Sequence, residues 1–302
     1  MVDKLNDTLA VTSYSLTLLG CLAACSFESA NITRDAKAAD APTMDGGAFD
    51  AVVVDARTRV PDAAPPRRTK NNLIVRYDFN EAAGATTIRD VSGFLPAADL
   101  TLAQGAITLS GTSLRTTNDA ALVDLSPTNL AGQRITDACK LSNALTVEAW
   151  INPDDNTVTS RFISLNSDSS LDINNFFMLN SNGRVQGTTR IGLAPQFGIG
   201  INDNNGVAVQ TKQFVAMRYG NGVFTLDVIR NNAITLHRTL TAPGNFDAWS
   251  NQFKLVVLNG SRYADNRDTR PFAGEIYSIA VYCRALSDDE VAKDASLGSE
   301  SL

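Results

Sequence analysis

The sequence is poor in the residues on which most catalytic and metal chemistry depends. Its 302 residues include one histidine, His237. A Ser-His-Asp triad or a histidine-rich metal site would have to be built on that residue, which alternates with Ile234, Leu236 and Arg238 in a strand-like segment. We therefore interpret His237 as an exposed strand residue. The Gly-x-Ser-x-Gly nucleophile motif, the phosphate-binding glycine loop and the dinucleotide fingerprint are also absent from the sequence.

Charge is sparse as well, and no part of the chain is strongly basic. Only 19% of the residues are charged, and 26 basic against 32 acidic residues give a net charge of −6. Without a basic stripe, nothing would neutralise the phosphates of a nucleic acid. We therefore expect no nucleic-acid partner. The hydrophobic fraction of 44% is ordinary for a globular protein.

A long hydrophobic run is lacking, and the nearest approach to one is residues 9–25, LAVTSYSLTLLGCLAAC. This segment is too short and polar for a membrane span of about 20 apolar residues, but it suits the apolar part of a signal peptide. It ends in Leu22-Ala23-Ala24-Cys25, which resembles a bacterial lipobox, and Cys21 is a poorer candidate. The resemblance implies cleavage before Cys25, a lipid on its sulfur, and anchoring at the outer membrane or cell surface. The alternative is an ordinary secretory signal with incidental cysteines.

Residues 26–70 have little to bury except Val52 to Val54. The segment is rich in Ala, Asp and Pro, and its acidic and basic residues balance. Such a composition does not offset an ordering entropy of roughly 1–2 kcal/mol per residue. We therefore expect a disordered tether that separates the leader, residues 1–25, from a body that spans residues 71–302.

Helical periodicity is scarce in the body, where short runs of β-branched and aromatic residues alternate with turn residues. The predicted strands are residues 73–79, 106–110, 145–152, 159–166, 197–202, 213–219, 223–229 and 253–258. Asn-Gly pairs, which supply the positive φ angles of tight hairpins, occur at 182–183, 205–206, 221–222 and 259–260. This pattern predicts an all-β antiparallel sandwich of two sheets.

The C-terminal stretch predicts a strand followed at once by a helix. Residues 276–282 are mostly apolar on both faces, which is typical of a central strand, and we expect a β-bulge near Ser278. Ser287 and Glu290 have the spacing of a capping box. A short helix should therefore finish the domain.

Three ordered blocks within residues 72–296 resemble the laminin-G-like jelly rolls of the concanavalin A-like lectin/glucanase superfamily. The blocks are Tyr77-x-Phe79-Asn80-Glu81-x-x-Gly84 with Asp90-x-Ser92-Gly93, Leu145-Thr146-Val147-x-Ala149-Trp150-Ile151-x-Pro153, and Phe272-x-Gly274-x-Ile276 through Glu290. The resemblance implies a two-sheet jelly-roll sandwich with a short C-terminal helix. One departure is the segment 227–232, which replaces the family's Tyr-x-Asp-Gly hairpin and lacks its aromatic residue. Any ligand role of that loop is therefore in question.

Two cysteines, Cys139 and Cys283, lie outside the leader. In an exported chain they form either a disulfide or two buried free thiols, and the sequence alone leaves both open. The resemblance brings the opening, inner and closing strands close together. It therefore implies a bridge between Cys139 and Cys283.

Three oxygen-rich loops are candidates for calcium binding, since carboxylates and carbonyls are the ligands that calcium prefers. They contain Asp90, Asp203 and Asp265, each accompanied by Asn, Ser or Gly. The resemblance points the same way, because many relatives hold calcium at loop ends. The alternative is that these are ordinary turn residues. Calcium is the one cofactor that the sequence suggests.

Retaining glycoside hydrolysis requires two carboxylates about 5 Å apart. The spacings that would place such a pair on one face of a strand, Glu-x-Asp-x-x-Glu and Glu-x-x-x-Glu, do not occur in the predicted strands. Glu148 and Trp150 share the polar face of one strand, and we take them as the ligand-binding candidates. Trp150 can instead be a core residue that fills the layer between the sheets. We expect a non-catalytic module that binds a glycan or an extracellular or envelope protein. The alternatives are a glycoside-active enzyme and a structural or adhesive envelope protein.

Overall fold

Sixteen β-strands and two helices form the part of the chain that the structure, a computed structural model, describes, namely residues 68–117, 119–155, 157–167, 173–192, 198–203, 210–260 and 270–298. The strands are β1 (Leu73–Tyr77), β2 (Thr87–Ile88), β3 (Leu100–Gln104), β4 (Thr108–Leu109), β5 (Leu114–Thr116), β6 (Ala121–Val123), β7 (Leu145–Pro153), β8 (Ser160–Asn166), β9 (Asn174–Ser181), β10 (Arg184–Thr189), β11 (Ile199–Asn202), β12 (Gln213–Gly220), β13 (Val223–Arg230), β14 (Ala233–Thr241), β15 (Lys254–Val257) and β16 (Gly274–Tyr282). The helices are α1 (Leu130–Ser142) and α2 (Asp288–Ser296). The all-β prediction is confirmed.

The strands form two antiparallel sheets of eight strands each. Sheet A has the order β14-β13-β12-β7-β16-β5-β4, with β1 also paired to β16. Sheet B has the order β11-β10-β9-β8-β15-β6-β3-β2. This arrangement confirms the predicted jelly-roll sandwich.

The main hydrophobic core is formed by the inner faces of the two sheets. On β7, Val147 and Ala149 belong to this core, whereas Trp150 belongs to a second cluster. Phe176 and Met178 of β9 join the same main core from sheet B. The period of two along each strand therefore decides which side chains the sandwich encloses.

Strand β16 is the centre of sheet A, as its apolar pattern predicts. It pairs with β7 along its length, with β5 at its start and with β1 at its end. The pairing with β7 shifts register between Ile276 and Ser278, which confirms the predicted bulge. Ser287 accepts from the backbone N–H of Glu290 while Glu290 accepts from that of Ser287, and this capping box starts α2 as predicted.

Asparagine-based turns close three of the hairpins. Asn182 and Asn221 have φ angles of 48° and 52°, and each leads a predicted Asn-Gly turn, the first between β9 and β10, the second between β12 and β13. The segment 231–232, Asn-Asn, forms the turn between β13 and β14. The pair at 259–260 follows β15, and the residues directly after it, 261–269, lie outside the described residues, so the predicted turn there stays a prediction. The pair at 205–206 lies outside the described residues.

Helix α1 was not predicted from the sequence. Its buried residues follow a helical spacing, but they are small or polar: Ala131, Gly132, Ile135, Thr136 and Cys139. Such residues give little contrast between an apolar and a polar face, so the pattern is weak. Among the described residues, neither helix is long and apolar enough to cross a membrane.

A disulfide joins Cys139 of α1 to Cys283, the residue after β16. Both half-cystines are buried in the main core, and their Cα atoms are 4.5 Å apart. The bridge that the family resemblance implies is thereby confirmed, and the alternative of two free thiols is wrong. The disulfide ties α1 to the end of the central strand, β16.

Replacing both Cys139 and Cys283 by alanine should lower the free energy of unfolding by about 2–5 kcal/mol. The bridge spans 144 residues of sequence and so restricts the unfolded chain strongly. Urea denaturation of both proteins measures the difference, and a reductant should move the midpoint of the wild type toward that of the variant. Equal midpoints for the oxidised wild type and the variant would contradict this account.

Candidate functional site

A groove crosses the outer face of sheet B, on the side away from the main core. Its described lining comes from β8, β9, β10 and β11 with adjoining residues, and it encloses a cavity of about 300 Å³. The lining residues with charged, polar or aromatic side chains include Arg161, Phe177, Ser181, Gln186, Thr188 and Arg270. The volume is at the small end of the range for small-molecule sites, about 300–1,000 Å³.

The alternation of strand β10 explains why polar groups reach the groove. Val185 lies in the main core, and a Cβ on Gly187 would lie 2.7 Å from the Met217 sulfur of sheet A. Gln186 and Thr188 therefore point to the opposite face, where the Gln186 amide donates to the Thr188 hydroxyl at 3.1 Å. A period of two in the sequence thus builds a hydrogen-bonding strip along the groove.

Two arginines are held in the groove by different means. The Arg161 guanidinium carbon lies 4.0 Å from the centre of the Phe177 ring, and the residue is 2% exposed. The Arg161 backbone N–H donates to the Arg270 carbonyl at 2.9 Å, while the Arg270 N–H donates to the Asn259 side-chain oxygen at 3.0 Å. Stacking on Phe177 fixes the guanidinium group of Arg161, and hydrogen bonds to the carbonyl and from the N–H group of Arg270 fix the backbone of Arg270.

A cluster of buried amides adjoins the groove. Ser164 pairs with Phe177 across the strands, and its hydroxyl lies 3.3 Å from the Asn166 side-chain oxygen. Within the described part of the chain, the buried Nδ2 groups of Asn166, Asn174 and Asn259 have no hydrogen-bond partner. Buried polar groups without partners are rare in proteins. These amides therefore have donor capacity that the described protein groups do not use.

The described side chains of this face include no carboxylate. None of the eight strands of sheet B, over the ranges given above, contains Asp or Glu, and no described residue that lines the groove is acidic. Glycoside hydrolysis usually requires two carboxyl groups, about 5 Å apart for retention and about 6.5–9.5 Å apart for inversion. The described groove is thus equipped for hydrogen bonding, stacking and charge pairing.

Glu148 and Trp150, the ligand-binding candidates from the sequence, lie on the outer face of sheet A and are covered. They are 1% and 7% exposed. Trp150 packs edge-on against Phe214, with ring centres 5.5 Å apart, in a cluster that includes Val291 and Ala295 of α2. The prediction of an open polar face is wrong because α2 belongs to this cluster. The alternative, Trp150 between the sheets, is also wrong.

The N-terminal boundary of the body differs from the prediction as well. An Arg68 guanidinium nitrogen lies 3.5 Å from the Glu148 carboxylate, and another donates to the Gly298 carbonyl at 2.9 Å. The Thr69 backbone N–H donates to the Asp294 carboxylate at 3.0 Å. The sequence places these two residues in the disordered tether, but hydrogen bonds hold them against β7 and α2. The rest of the tether, the leader and Cys25 lie outside the described residues.

The environment of Glu148 favours its neutral form. Burial raises the pKa of Glu148 from 4.5 to about 8, and the nearby charge of Asp294 acts in the same direction, while Arg68 opposes it. The second carboxyl oxygen of Glu148 is buried without a hydrogen-bond partner among the described residues. Near neutral pH this side chain is therefore mostly a protonated acid that packs between sheet and helix.

Two of the three calcium candidates, Asp90 and Asp203, lie among the described residues. Both carboxylate oxygens of Asp90 accept backbone N–H bonds, from Arg76, Ser92 and Ala98. Asp203 is fully buried, and Asp265 lies outside the described residues. The residues that the structure describes include no group of three or more His, Cys, Asp or Glu able to hold a metal ion. Asp90 thus organises its own loop, and calcium binding stays a prediction.

His237 lies on the edge strand β14, and 42% of its side chain is exposed. Its Nδ1 is 2.7 Å from the Asp227 carboxylate, which also pairs with Arg218 at 2.7 Å. Across the hydrogen bonds of the described residues, none joins His237 to a serine, threonine or cysteine. The interpretation as an exposed strand residue is confirmed, and its contact links two strands of sheet A.

The residues of the groove do not stand out in the sequence. Strands β9 and β10 were not predicted, because Phe176 and Phe177 are both apolar and hide the alternation of β9. A usable signal was present: the predicted turn at 182–183 is flanked by the alternating polar residues of β10, with Gln186 and Thr188 among them. That turn implies a hairpin, and the hairpin places these polar residues on one face.

The chain resembles known proteins in family and in fold. The model of the concanavalin A-like lectin/glucanases superfamily matches residues 128–292. No curated protein sequence matches the chain. Among solved structures, the botulinum neurotoxin serotype C1 binding domain has a TM-score of 0.51 at 10% identity, and the match covers 76% of this chain and 52% of that chain.

A second similar structure concerns cell entry of botulinum neurotoxin type C, described as dependent on interaction with two ganglioside molecules. It has a TM-score of 0.51 at 12% identity and covers 76% of this chain. A third, the serotype D/C VPI 5993 binding domain, has a TM-score of 0.50 at 11% identity and covers 76% of this chain. The chain spans about half, 52%, of each of these longer chains. At such low identity the likeness shows the fold alone.

Replacing Glu148 by glutamine should flatten the dependence of stability on pH. Because the folded state raises the pKa of this acid from 4.5 to about 8, its stabilising contribution is complete below pH 4.5 and is lost as the pH rises through 8. The loss in the wild type should be on the order of a few kcal/mol. Urea denaturation between the two pH values measures it.

The matched control for this experiment is Glu275→Gln. A hydrogen bond from the Tyr277 hydroxyl lowers the pKa of Glu275, so its stabilising contribution is present above its ordinary pKa and is lost as the pH falls. The free energy of unfolding of Glu275→Gln should therefore decline between pH 5 and 8 as steeply as that of the wild type. An equally steep decline in Glu148→Gln and in the wild type would show that Glu148 titrates normally.

Proposed function

The chain belongs to the laminin-G-like family of the concanavalin A-like lectin/glucanases superfamily, and on this premise we propose that it is a non-catalytic binding module of an exported lipoprotein. Its partner is a carbohydrate or a protein, and the groove of sheet B favours the carbohydrate. The observation that carries the proposal is the described lining of that groove, which offers hydrogen-bonding, aromatic and cationic side chains but no carboxylate.

The chemistry of the groove suits a sugar ring. Sugars present hydroxyl groups in fixed directions, and side-chain amides and hydroxyls such as those of Gln186 and Thr188 can bind them. Phe177 adds an apolar surface beside these polar groups, and Arg161 covers one side of its ring. A protein partner would instead require a larger contact, since stable protein interfaces bury about 800 Å² on each side. The small cavity therefore favours a saccharide.

A glycoside hydrolase is the first rival, since the superfamily includes enzymes as well as binding proteins. The position of the carboxylates argues for binding. Over their full ranges, the strands of sheet A contain three, namely Glu148, Asp227 and Glu275. The first is buried, the second pairs with Arg218 and His237, and the third accepts from the Tyr277 hydroxyl. Release of reducing sugar from a bound glycan would favour the enzyme.

A structural or adhesive envelope protein without a small ligand is the second rival. The described groove, with a cavity of about 300 Å³ lined by Gln186 and Arg270, favours a ligand-binding role over it. Capture of envelope proteins together with a blank glycan array would favour this rival.

Replacing Gln186 by alanine should weaken glycan binding about tenfold, because a ligand hydroxyl then loses its hydrogen-bond partner in the groove. A glycan array with neutral and acidic sugars identifies the ligand, and calorimetry then gives the dissociation constants. Gln252→Ala is the matched control, since Gln252 is exposed and does not line the groove. The control should bind like the wild type.

Trp150→Phe distinguishes this site from the one expected from the sequence. Trp150 is 7% exposed beneath α2, so the variant should retain the affinity of the wild type. Loss of binding in Trp150→Phe with unchanged binding in Gln186→Ala would move the site to sheet A. An array without any bound glycan would contradict the proposed carbohydrate-binding function itself.

We further propose that the chain is exported and anchored through Cys25. The disulfide between Cys139 and Cys283 supports export, because such bonds form and persist in oxidising compartments. The lipobox-like sequence before Cys25 supports the anchor, and the Ala-, Asp- and Pro-rich segment that follows supports a spacer. Two or more acyl chains would hold the protein stably at a membrane surface.

Replacing Cys25 by serine should abolish lipidation and release the protein from the membrane fraction. Expression in a Gram-negative host with a labelled fatty acid measures lipid attachment, and fractionation measures location. Cys21→Ser is the matched control and should be labelled like the wild type. Equal labelling of Cys25→Ser and the wild type, or label lost only in Cys21→Ser, would contradict the assignment.

A further inference from the structure

Arginine is the only charged residue type in the described lining of the groove. Arg161 and Arg270 both line it, and they are joined by the backbone hydrogen bond described above. The chain as a whole carries a net charge of −6, so the groove differs in sign from the molecule around it. A cationic concave surface with low-dielectric walls attracts anions.

The cationic strip continues beyond the groove. A second cavity of about 300 Å³ lies next to the first and shares Ser181 and Gln186 with it. Arg184, which is exposed, lines this second cavity together with Asn202 and is its only charged described residue. Two neighbouring cavities that share side chains form a track long enough for more than one sugar ring. Each cavity provides at least one guanidinium group.

The groove presents its guanidinium groups in a way that suits oxyanions. Arg270 is partly exposed and lines the groove, whereas Arg161 is 2% exposed and stacks on Phe177, so Arg270 is the guanidinium group of the groove that a ligand can reach. A guanidinium group binds a carboxylate or sulfate through two parallel hydrogen bonds, and such charge-assisted bonds are about twice as strong as neutral ones. A partly desolvated site strengthens them further, because the local dielectric is lower than in water.

We propose that the ligand of the groove is an acidic oligosaccharide, with carboxylate or sulfate groups that bind Arg270 in the groove and Arg184 in the adjoining cavity. This inference rests on the carbohydrate-binding function proposed above and adds the charge of the ligand. The Gln186 side chain, which lines both cavities and donates to the Thr188 hydroxyl, binds hydroxyl groups of the same chain.

The test compares each acidic glycan bound on the array with its own neutral counterpart. Oligogalacturonides and their carboxyl-reduced products are one such pair, and dextran sulfate and dextran are another. The full chain should bind the acidic member at least tenfold more tightly than the neutral one at low salt. The affinity for the acidic member should fall as sodium chloride rises from about 50 to 500 mM, because salt screens the interaction.

Arg270→Gln should weaken binding of the acidic member about tenfold or more, and Arg184→Gln should weaken it by a smaller factor, because Arg184 is exposed. Arg270→Lys, which keeps the charge, should restore part of the affinity. Arg89→Gln is the matched control: it removes the same charge from an exposed residue next to β2, at the opposite edge of sheet B. Thermal unfolding should show that all four variants fold.

The outcomes separate this inference from the function on which it rests. Binding of neutral glycans with equal or higher affinity would overturn the inference and leave the carbohydrate-binding function standing. Equal losses in Arg270→Gln and Arg89→Gln would show a general charge effect and would also overturn it. Absence of binding to any glycan, acidic or neutral, would overturn the proposed function.

Discussion

The pairing of β16 with strands from distant parts of the sequence is the constraint on which the structure depends. This strand pairs with β1, β5 and β7, and the disulfide at Cys283 ties the end of the strand to α1. Each of these pairings closes a long loop of the chain at a cost in entropy. Because one closure shortens the loops that remain, the pairings depend on one another. Once β16 is in place, the first described residues and the last helix necessarily lie near each other.

This closure makes the outer faces of the two sheets different. Strand β16 runs directly into α2, so the helix packs on sheet A together with Arg68 and Thr69. Glu148 becomes buried beneath them and takes up a proton more readily, because burial disfavours its charged form. Sheet B has the groove instead. The same strand alternation therefore yields a second core on one sheet and a lined groove on the other.

The fold alone does not distinguish binding from catalysis, because this superfamily supports both. Particular side chains favour binding. Gln186 and Arg270 are partly exposed in the groove of sheet B, Arg161, Phe177 and Thr188 are buried beside them, and none of the strands of this sheet carries a carboxylate. Recognition of a polar, anionic chain is the function that we propose for these groups, and the disulfide is the observation from which we propose export.

The sequence alone determined the class of fold and several local structures. Alternating strands, two Asn-Gly turns, the bulge near Ser278 and the capping box at Ser287 depend on residues close in sequence, so their physical causes can be read directly. The spacing of three blocks determined the family, and the family implied the bridge between Cys139 and Cys283.

Only the tertiary structure decided which faces are open. Glu148 and Trp150 alternate as an exposed polar face would, but a helix from the other end of the chain covers them. The groove, by contrast, collects Arg161, Gln186 and Arg270 from separate segments, and none of them is distinctive in its own segment. Burial and proximity of this kind depend on contacts between residues far apart in sequence, and a local pattern holds no information about them.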